Sequence, residues 1–510
     1  MRKVRIILAW VFLLGITWLF LDFTGTAHAW LGWMAKLQFL PAVLALNVGV
    51  IVGLLVITLV LGRIYCSVIC PLGILQDVFA WMGKKAKRNR YTYSKAKSWL
   101  RYAMLVVFVV LMVLGLGGVA TLIAPYSAFG RIAQSLLQPL WMWGNNLLAM
   151  MAERADSYAF YSVDVWLKSL PVLIIAVVTV VVLFVLAWRG GRTYCNTICP
   201  VGTVLGFVSR FSLLKIRIDE DKCIKCGLCA KNCKASCIDF KSMKVDYSRC
   251  VDCFDCVGKC KKGAISYGPK PTPNPSQKEG NANRSGENVK MKKLKNENTS
   301  GEDQGRREFL TTTAVALGTI ALEAQAKKVD GGLAEIEDKL VPERKTKVVP
   351  PGAMSIKNLE DHCTGCQLCV SKCPNDVLRP STDLMHLMQP EMSFERGYCR
   401  PECTACGDVC PTGAIRPITK EEKTAIRVGH AVLVRKTCVA VTTDDGCGLC
   451  ATKCPTGAVM LTTVEYEGRS VYAPVVDEEK CIGCGTCEHL CPARPFAAIY
   501  VEGHEFHSEN

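Results

Sequence analysis

Histidine is nearly missing from the first half of this chain: residues 1 to 220 contain only His28, out of seven histidines in all. A haem held between membrane helices needs histidine pairs as axial ligands, so that class is excluded. Charge is missing from four long apolar runs, roughly Arg5–Leu21, Leu40–Gly62, Tyr102–Ala124 and Leu170–Trp188, whose interiors hold no Asp, Glu, Lys or Arg. Pumps place ionisable groups within their spans, so a proton or ion pump is excluded too. There is no P-loop and no G-x-G-x-x-G after a strand pattern, so no bound nicotinamide, flavin or nucleotide is expected.

What is present begins with those four runs. Half of the 510 residues are apolar, and each run reaches the ~17–25 residues of a bilayer span. A four-helix membrane domain over residues 1–215 is therefore expected, with the lipid bilayer as partner. The loop between the second and third runs carries Arg63, Lys84, Lys85, Lys87, Arg88, Arg90, Lys95, Lys97 and Arg101 against one acid, Asp77. Cytoplasmic loops attract such an excess, so the N-terminus and this loop are assigned to the cytoplasm, and four crossings return the chain there at Arg189. The expected location is a bacterial inner membrane, crossed several times. The net charge of +16 sits beside apolar segments and in a polar linker, so it reads as membrane orientation and no nucleic acid is expected. His28 falls on the outer side and reads as an interfacial residue.

Cysteine dominates the rest. Of 29 cysteines, 24 fall into six groups spaced C-x2-C-x2-C-x3-C or nearly so. Disulfide frameworks have no reason to repeat that spacing, and zinc sites do not need the third and fourth cysteines at those intervals. Iron–sulfur clusters do, so six [4Fe–4S] clusters are expected.

The first two groups are Cys223, Cys226, Cys229, Cys233 and Cys250, Cys253, Cys256, Cys260. In such tandems the fourth cysteine of each run ligates the other cluster. One cluster then uses Cys223, Cys226, Cys229 and Cys260, and the other Cys250, Cys253, Cys256 and Cys233, in an α+β two-cluster ferredoxin domain over 216–267. Lys234 and Lys261 stand where proline usually follows, and Cys237 is a spare thiol read as a buried non-ligand.

Residues 268–305 are polar and poor in large apolar side chains, and read as a disordered linker. Arg306-Arg307-Glu308-Phe309-Leu310 and the weakly apolar run to Ala326 have the parts of a twin-arginine export signal over 306–326, with a candidate cleavage site after Ala326. A further linker, 327–350, precedes a four-cluster ferredoxin domain over 351–510. Its groups are Cys363, Cys366, Cys369, Cys373; Cys399, Cys403, Cys406, Cys410; Cys438, Cys447, Cys450, Cys454; and Cys481, Cys484, Cys487, Cys491. Outer groups are expected to pair with outer and inner with inner: Cys491 completes the first cluster, Cys373 the last, and Cys454 and Cys410 swap between the middle two. Adjacent pairing is the alternative.

A repeat in the membrane half accounts for four more thiols. Arg63-Ile64-Tyr65-Cys66-Ser67-Val68-Ile69-Cys70-Pro71-Leu72-Gly73 matches Arg192-Thr193-Tyr194-Cys195-Asn196-Thr197-Ile198-Cys199-Pro200-Val201-Gly202. Brought together by a pseudo-twofold, Cys66, Cys70, Cys195 and Cys199 would form a metal, cluster or redox-dithiol site. Turn chemistry alone does not explain repeating the Arg, the Tyr and both cysteines.

These motifs carry a resemblance. Residues 1 to about 267 resemble NapH-type membrane ferredoxins, the membrane component of a quinol dehydrogenase, in their four runs, two Cys-x3-Cys-Pro motifs and two-cluster domain. Residues from about 301 onward resemble NapG/MauM-type periplasmic ferredoxins, in the twin-arginine leader, Pro350-Pro351-Gly352-Ala353 and the long Cys438–Cys447 gap. The resemblance implies a fusion that takes electrons from membrane quinol and passes them to a periplasmic terminal reductase or cytochrome, of the nitrate or nitrous oxide type. The first ferredoxin would be cytoplasmic and the second periplasmic. The competing function is a maturation factor that keeps a metalloenzyme reduced, since oxidase-assembly ferredoxins carry similar Cys-x3-Cys-Pro repeats.

Overall fold

The computed structural model describes residues 1–86, 91–269, 337–443 and 446–509. The linker from residue 270 and the twin-arginine stretch 306–326 lie outside the described residues. Residues Met1–Lys270 and Leu340–Asn510 pack as one compact unit.

The N-terminal region is helical: α1 (Arg2–Leu21), α2 (Thr26–Lys36), α3 (Phe39–Leu44), α4 (Val48–Leu61), α5 (Tyr65–Val68), α6 (Pro71–Lys85), α7 (Ser98–Val113), α8 (Gly117–Ala120), α9 (Pro125–Ile132), α10 (Gln138–Glu153), α11 (Leu170–Gly190), α12 (Thr193–Thr197) and α13 (Pro200–Val208). Among the described residues only α1 and α11 are helices long and apolar enough to cross a membrane. This corrects the expectation of four spanning helices. The second run is broken where Leu46 takes a left-handed backbone (φ 49°), and Asn47 restarts the helix by accepting from the Val50 N–H. The restarted helix, α4, has 14 residues, about 21 Å of rise. The third run stops at Gly115 (φ 77°), where the Leu116 N–H turns back to the Leu111 carbonyl.

The stretch after that break was expected to be loop. Instead α9, a five-residue π turn at Ala133–Leu137 and α10 follow one another without interruption. Arg131, Gln134 and Gln138 disguised the helix as a polar connection, yet all three are buried.

Two short ladders build the first ferredoxin domain: Lys215–Ile218 against Ile265–Gly268 and Ile238–Asp239 against Lys244–Val245. It sits at the helix ends that carry Arg2, Leu61 and Arg63. Arg2 pairs with Asp255 at 2.7 Å, and the Tyr267 hydroxyl donates to the Leu61 carbonyl at 2.9 Å.

The second ferredoxin packs on the opposite helix ends. Gln138 donates to the Ser371 carbonyl at 2.9 Å, and Arg396 pairs with Asp164 at 2.9 Å. Trp166 lies under the guanidinium groups of Arg379 and Arg396, 4.5 and 4.8 Å from its ring centre. The chain already lies on this domain ahead of Pro351, since the Leu340 N–H donates to the Pro495 carbonyl. Two long antiparallel ribbons, Ile426–Leu433 with Ile499–Glu509 and Val459–Tyr466 with Arg469–Val476, frame it.

One buried ion pair anchors this docking. Lys372 Nζ reaches Asp22 Oδ2 at 2.7 Å just past the end of α1. Burial raises the Asp22 pKa, but Lys372, Thr24 and the Ala27 N–H outweigh it and hold the carboxyl below its ordinary value. A depressed carboxylate stabilises where it is charged, so its contribution is present at neutral pH and lost as pH falls through and below ~4. With a protease site engineered into the linker and cleaved, the second ferredoxin should co-purify with the N-terminal fragment at pH 7 and dissociate on acidification. Asp22→Ala should release it at neutral pH, since breaking such a pair costs about 3–5 kcal/mol. Retention unaffected by either would show that the pair does not anchor the docking.

Candidate functional site

The repeat folds as two re-entrant turns related by a pseudo-twofold. In each, a glycine with positive φ, Gly62 (77°) or Gly191 (67°), starts the turn, and the arginine after it reaches into the other repeat. Arg63 donates to the Cys195 carbonyl at 3.4 Å and Arg192 to the Cys66 carbonyl at 2.5 Å. The final glycines complete the symmetry. A Cβ on Gly73 would strike the Cys66 carbonyl, and one on Gly202 the Cys195 carbonyl, which is why both motifs end in glycine. Even the tyrosines correspond: Tyr65 donates to Gln38 at 3.1 Å and Tyr194 to the Ile123 carbonyl at 2.6 Å.

Cys66, Cys70, Cys195 and Cys199 are thereby gathered in the interior, each no more than 4 % exposed. Cys70 and Cys199 cap the N-termini of α6 and α13, each followed by proline at the first helical position. The Gly202 N–H points at Cys199 Sγ at 3.3 Å; Cys70 makes no such cap bond. Gln76 donates to Cys195 Sγ at 3.3 Å and Arg63 approaches Cys66 Sγ at 3.7 Å. Donors aimed at three of the four sulfurs, with two buried guanidinium groups alongside, suit soft metal-ligating thiols.

Asp77, the lone acid of its loop, turns out to be the hub beneath this tetrad. It pairs with Arg5 at 2.9 Å and Arg192 at 2.8 Å, and Lys234 Nζ lies 3.6 Å away. Lys234 also binds Asp255 at 3.0 Å, and its carbonyl accepts from the Arg192 N–H. Lysine stands in place of the usual proline after Cys233, and its side chain fastens the ferredoxin to the helical region through Asp77. Nothing in the structure explains Lys261. On the other arm of the twofold, the Arg63 N–H donates to Asp252 Oδ2 at 2.9 Å. Burial pushes the Asp252 carboxyl up to about 6 even so.

The cluster-type cysteines fall into sets. In the first ferredoxin, Cys233 lies with Cys250, Cys253 and Cys256, while Cys223, Cys226 and Cys229 form the other set, with Cys226 open to solvent. Cys237 is buried, and its Sγ lies in hydrogen-bond contact with Cys233 Sγ at 3.5 Å. That hydrogen bond, ahead of the opposing effect of burial, brings the Cys233 thiol to about 7.

In the second ferredoxin the pairing is adjacent, which corrects the outer-with-outer expectation. One cavity is lined by Cys373 with Cys399, Cys403 and Cys406, another by Cys491 with Cys438, Cys447 and Cys450, and a third by Cys454 with Cys481, Cys484 and Cys487. Cys410 faces Cys363, Cys366 and Cys369. Consecutive groups come from consecutive ferredoxin folds, and spacing alone does not say so.

No three His, Cys, Asp or Glu side chains among the described residues converge tightly enough to chelate one bare ion. A four-iron cube holds its thiolates further apart than a single ion does. Cavities lined by four cysteines, three from one run and one from its neighbour, fit that larger group.

The sets also share a core. Tetrad cysteines, Cys253 of the first ferredoxin, and Cys363, Cys366 and Cys369 of the second belong to one continuous hydrophobic core. Gly130 of α9 packs against the Cys366 carbonyl, and the Cys399 N–H donates to the Cys484 carbonyl at 2.9 Å.

The fold and these sets define a ferredoxin-type iron–sulfur protein with multiple 4Fe–4S domains and two apolar helices of spanning length. Residues 43–89 and 170–219, which contain the repeat, match a family model described as a 4Fe-4S binding domain. Residues 216–239 and 358–379 match another of the same description, and 444–494 a 4Fe-4S dicluster domain. The chain is 35% identical over 151 residues to a methylamine utilization ferredoxin-type protein MauM of Methylobacillus flagellatus, a match covering 29% of this chain and 64% of that protein, just under two thirds. To the MauM of Methylorubrum extorquens it is 33% identical over 204 residues, 36% of this chain and 84% of the relative. The ferredoxin-type protein NapF of Escherichia coli K12 is 26% identical over 156 residues, 30% of this chain and 86% of NapF. No solved structure matches. Over roughly that third of its length the chain belongs to the MauM family of ferredoxin-type proteins.

Proposed function

We propose that this protein is a respiratory electron conduit, which takes electrons from membrane quinol and passes them to a periplasmic reductase or cytochrome. The observation that carries this reading is the unbroken core joining cysteines of both ferredoxins to the Cys66, Cys70, Cys195, Cys199 tetrad. Six [4Fe–4S] clusters, when bound, supply the one-electron steps. The tetrad is an additional metal or cluster site between them. The chain's own residues hold the sulfurs, exclude water from the inner sets, and aim N–H donors at the thiolates.

In this reading α1 and α11 cross the bilayer, and the shorter apolar helices α4 and α7, with half-exposed Val52, Val56, Val106 and Val109, present an apolar face to lipid beside them. The two ferredoxins at opposite helix ends accord with a cytoplasmic first domain and a second domain exported by the twin-arginine stretch. The nitrate or nitrous oxide type of acceptor is suggested by the NapH and NapG resemblance, and the MauM relatives widen the choice to methylamine-utilization systems.

The test is steady-state oxidation of a quinol by the purified full chain with an artificial acceptor. Turnover is expected. Its absence, with loss of a partner enzyme's maturation in a deletion strain, would favour a reductive maturation factor instead.

A further inference from the structure

A cavity of about 680 Å³ is lined by no cysteine. It opens where α7 ends against the second ferredoxin, between Val113 and Leu114 on one side and Phe506 on the other. Those three side chains are 80, 64 and 70 % exposed, an apolar lip continuous with an apolar helix. The volume lies within the ~300–1,000 Å³ of small-ligand sites.

Its polar floor is not an anion site. Lys345, Lys347 and Lys357 face four carboxylates, Glu360, Asp361, Asp383 and Glu505, and Lys347 is already committed to Asp383 at 2.9 Å. Such a balance repels a phosphate headgroup and accepts a neutral one. At the centre, His386 Nδ1 lies 2.9 Å from Glu360 Oε1, while Nε2 is 3.8 Å from Asp383. Donation of Nδ1–H to Glu360 leaves Nε2 as an acceptor for a ligand hydroxyl. Lys357, with no ion pair among the described residues, is a donor for a second ligand oxygen.

This floor is one layer from a cysteine set. Glu360 lies on the helix Ile356–His362 that leads directly into Cys363. Gln389, whose N–H donates to the His386 carbonyl, also donates to the Glu360 carbonyl at 3.4 Å. The neighbouring Met388 carbonyl accepts from Gln367 at 3.5 Å, inside the same cysteine run.

We infer that this cleft binds the headgroup of the membrane quinol, one hydroxyl donating to His386 Nε2, the other oxygen accepting from Lys357, and the isoprenoid tail leaving over Val113, Leu114 and Phe506. The inference rests on the conduit reading and adds the place where quinol binds.

The test is equilibrium binding of ubiquinol-1 and a short-chain menaquinol analogue to the anaerobic full chain in detergent. A photoactivatable azidoquinone, mapped by mass spectrometry, reports where the ligand sits. Label is expected on peptides containing His386 or Phe506. Affinity should fall about tenfold in His386→Val and Lys357→Met, the loss of one hydrogen bond to a polar ligand. His386→Gln, which retains an acceptor, should recover part of it, and iron content and melting temperature should stay at wild-type values in all three. Binding that survives the variants, with label elsewhere, would overturn the site and leave the quinol reading standing. No quinol binding at all would overturn both. Displacement of the quinol by phosphatidylglycerol would mark a lipid site and also overturn the inference.

Discussion

Asp77→Ala should be among the most damaging single substitutions in the chain. It leaves Arg5 and Arg192 facing each other with no carboxylate between them, Arg192 fully buried, while Lys234 keeps only Asp255. Removing one partner of a buried pair costs about 3–5 kcal/mol, and here one carboxylate serves three cations. The expected results are loss of the folded helical region in detergent and release of the first ferredoxin, whose Lys234 is tied to the same acid. Arg5→Met added to Asp77→Ala should recover part of the loss, because contacting residues are not additive. A melting temperature within a degree or two of wild type would show that the hub contributes little.

The second large effect concerns the tetrad. Cys66→Ser with Cys195→Ser should remove the metal held there and lower metal per chain, while the ferredoxin sets keep theirs. Each serine replaces a soft thiolate with a hydroxyl that stays protonated at neutral pH and binds iron poorly. An unchanged metal-to-protein ratio would instead mark the tetrad as a redox dithiol or a structural element. Gly73→Ala serves as a geometric control: its Cβ would meet the Cys66 carbonyl, so it should disturb the tetrad without removing a sulfur.

Much of this was legible in the residues. Cysteine spacing is set by the chemistry of the cluster, so the runs and the swapped Cys233 could be read directly. The repeat announced itself because its Arg, Tyr, two Cys and Pro recur in register. The helix breaks at Leu46–Asn47 and Gly115 were not legible, because apolar composition continues through them while the backbone does not. The buried helix after Pro125 was hidden by Arg131, Gln134 and Gln138, polar residues that the second ferredoxin and the helix turns cover. Pairing in the second ferredoxin depends on how four similar units stack, which spacing leaves open. Asp77 looked like an incidental acid in a basic loop, and its partners Arg5, Arg192 and Lys234 are distant in sequence. The flanking glycines Gly62 and Gly191, just outside the quoted repeat, were the available hint that each motif begins with a sharp reversal.

If the tetrad joins the two redox domains into one path, freeze-quench EPR of the anaerobic full chain mixed with excess quinol should show reduced-cluster signals from both ferredoxins in the wild type. In the Cys66→Ser, Cys195→Ser variant the signals should come from the second ferredoxin alone. Reduction of both domains at the wild-type rate in that variant would contradict a path through the tetrad.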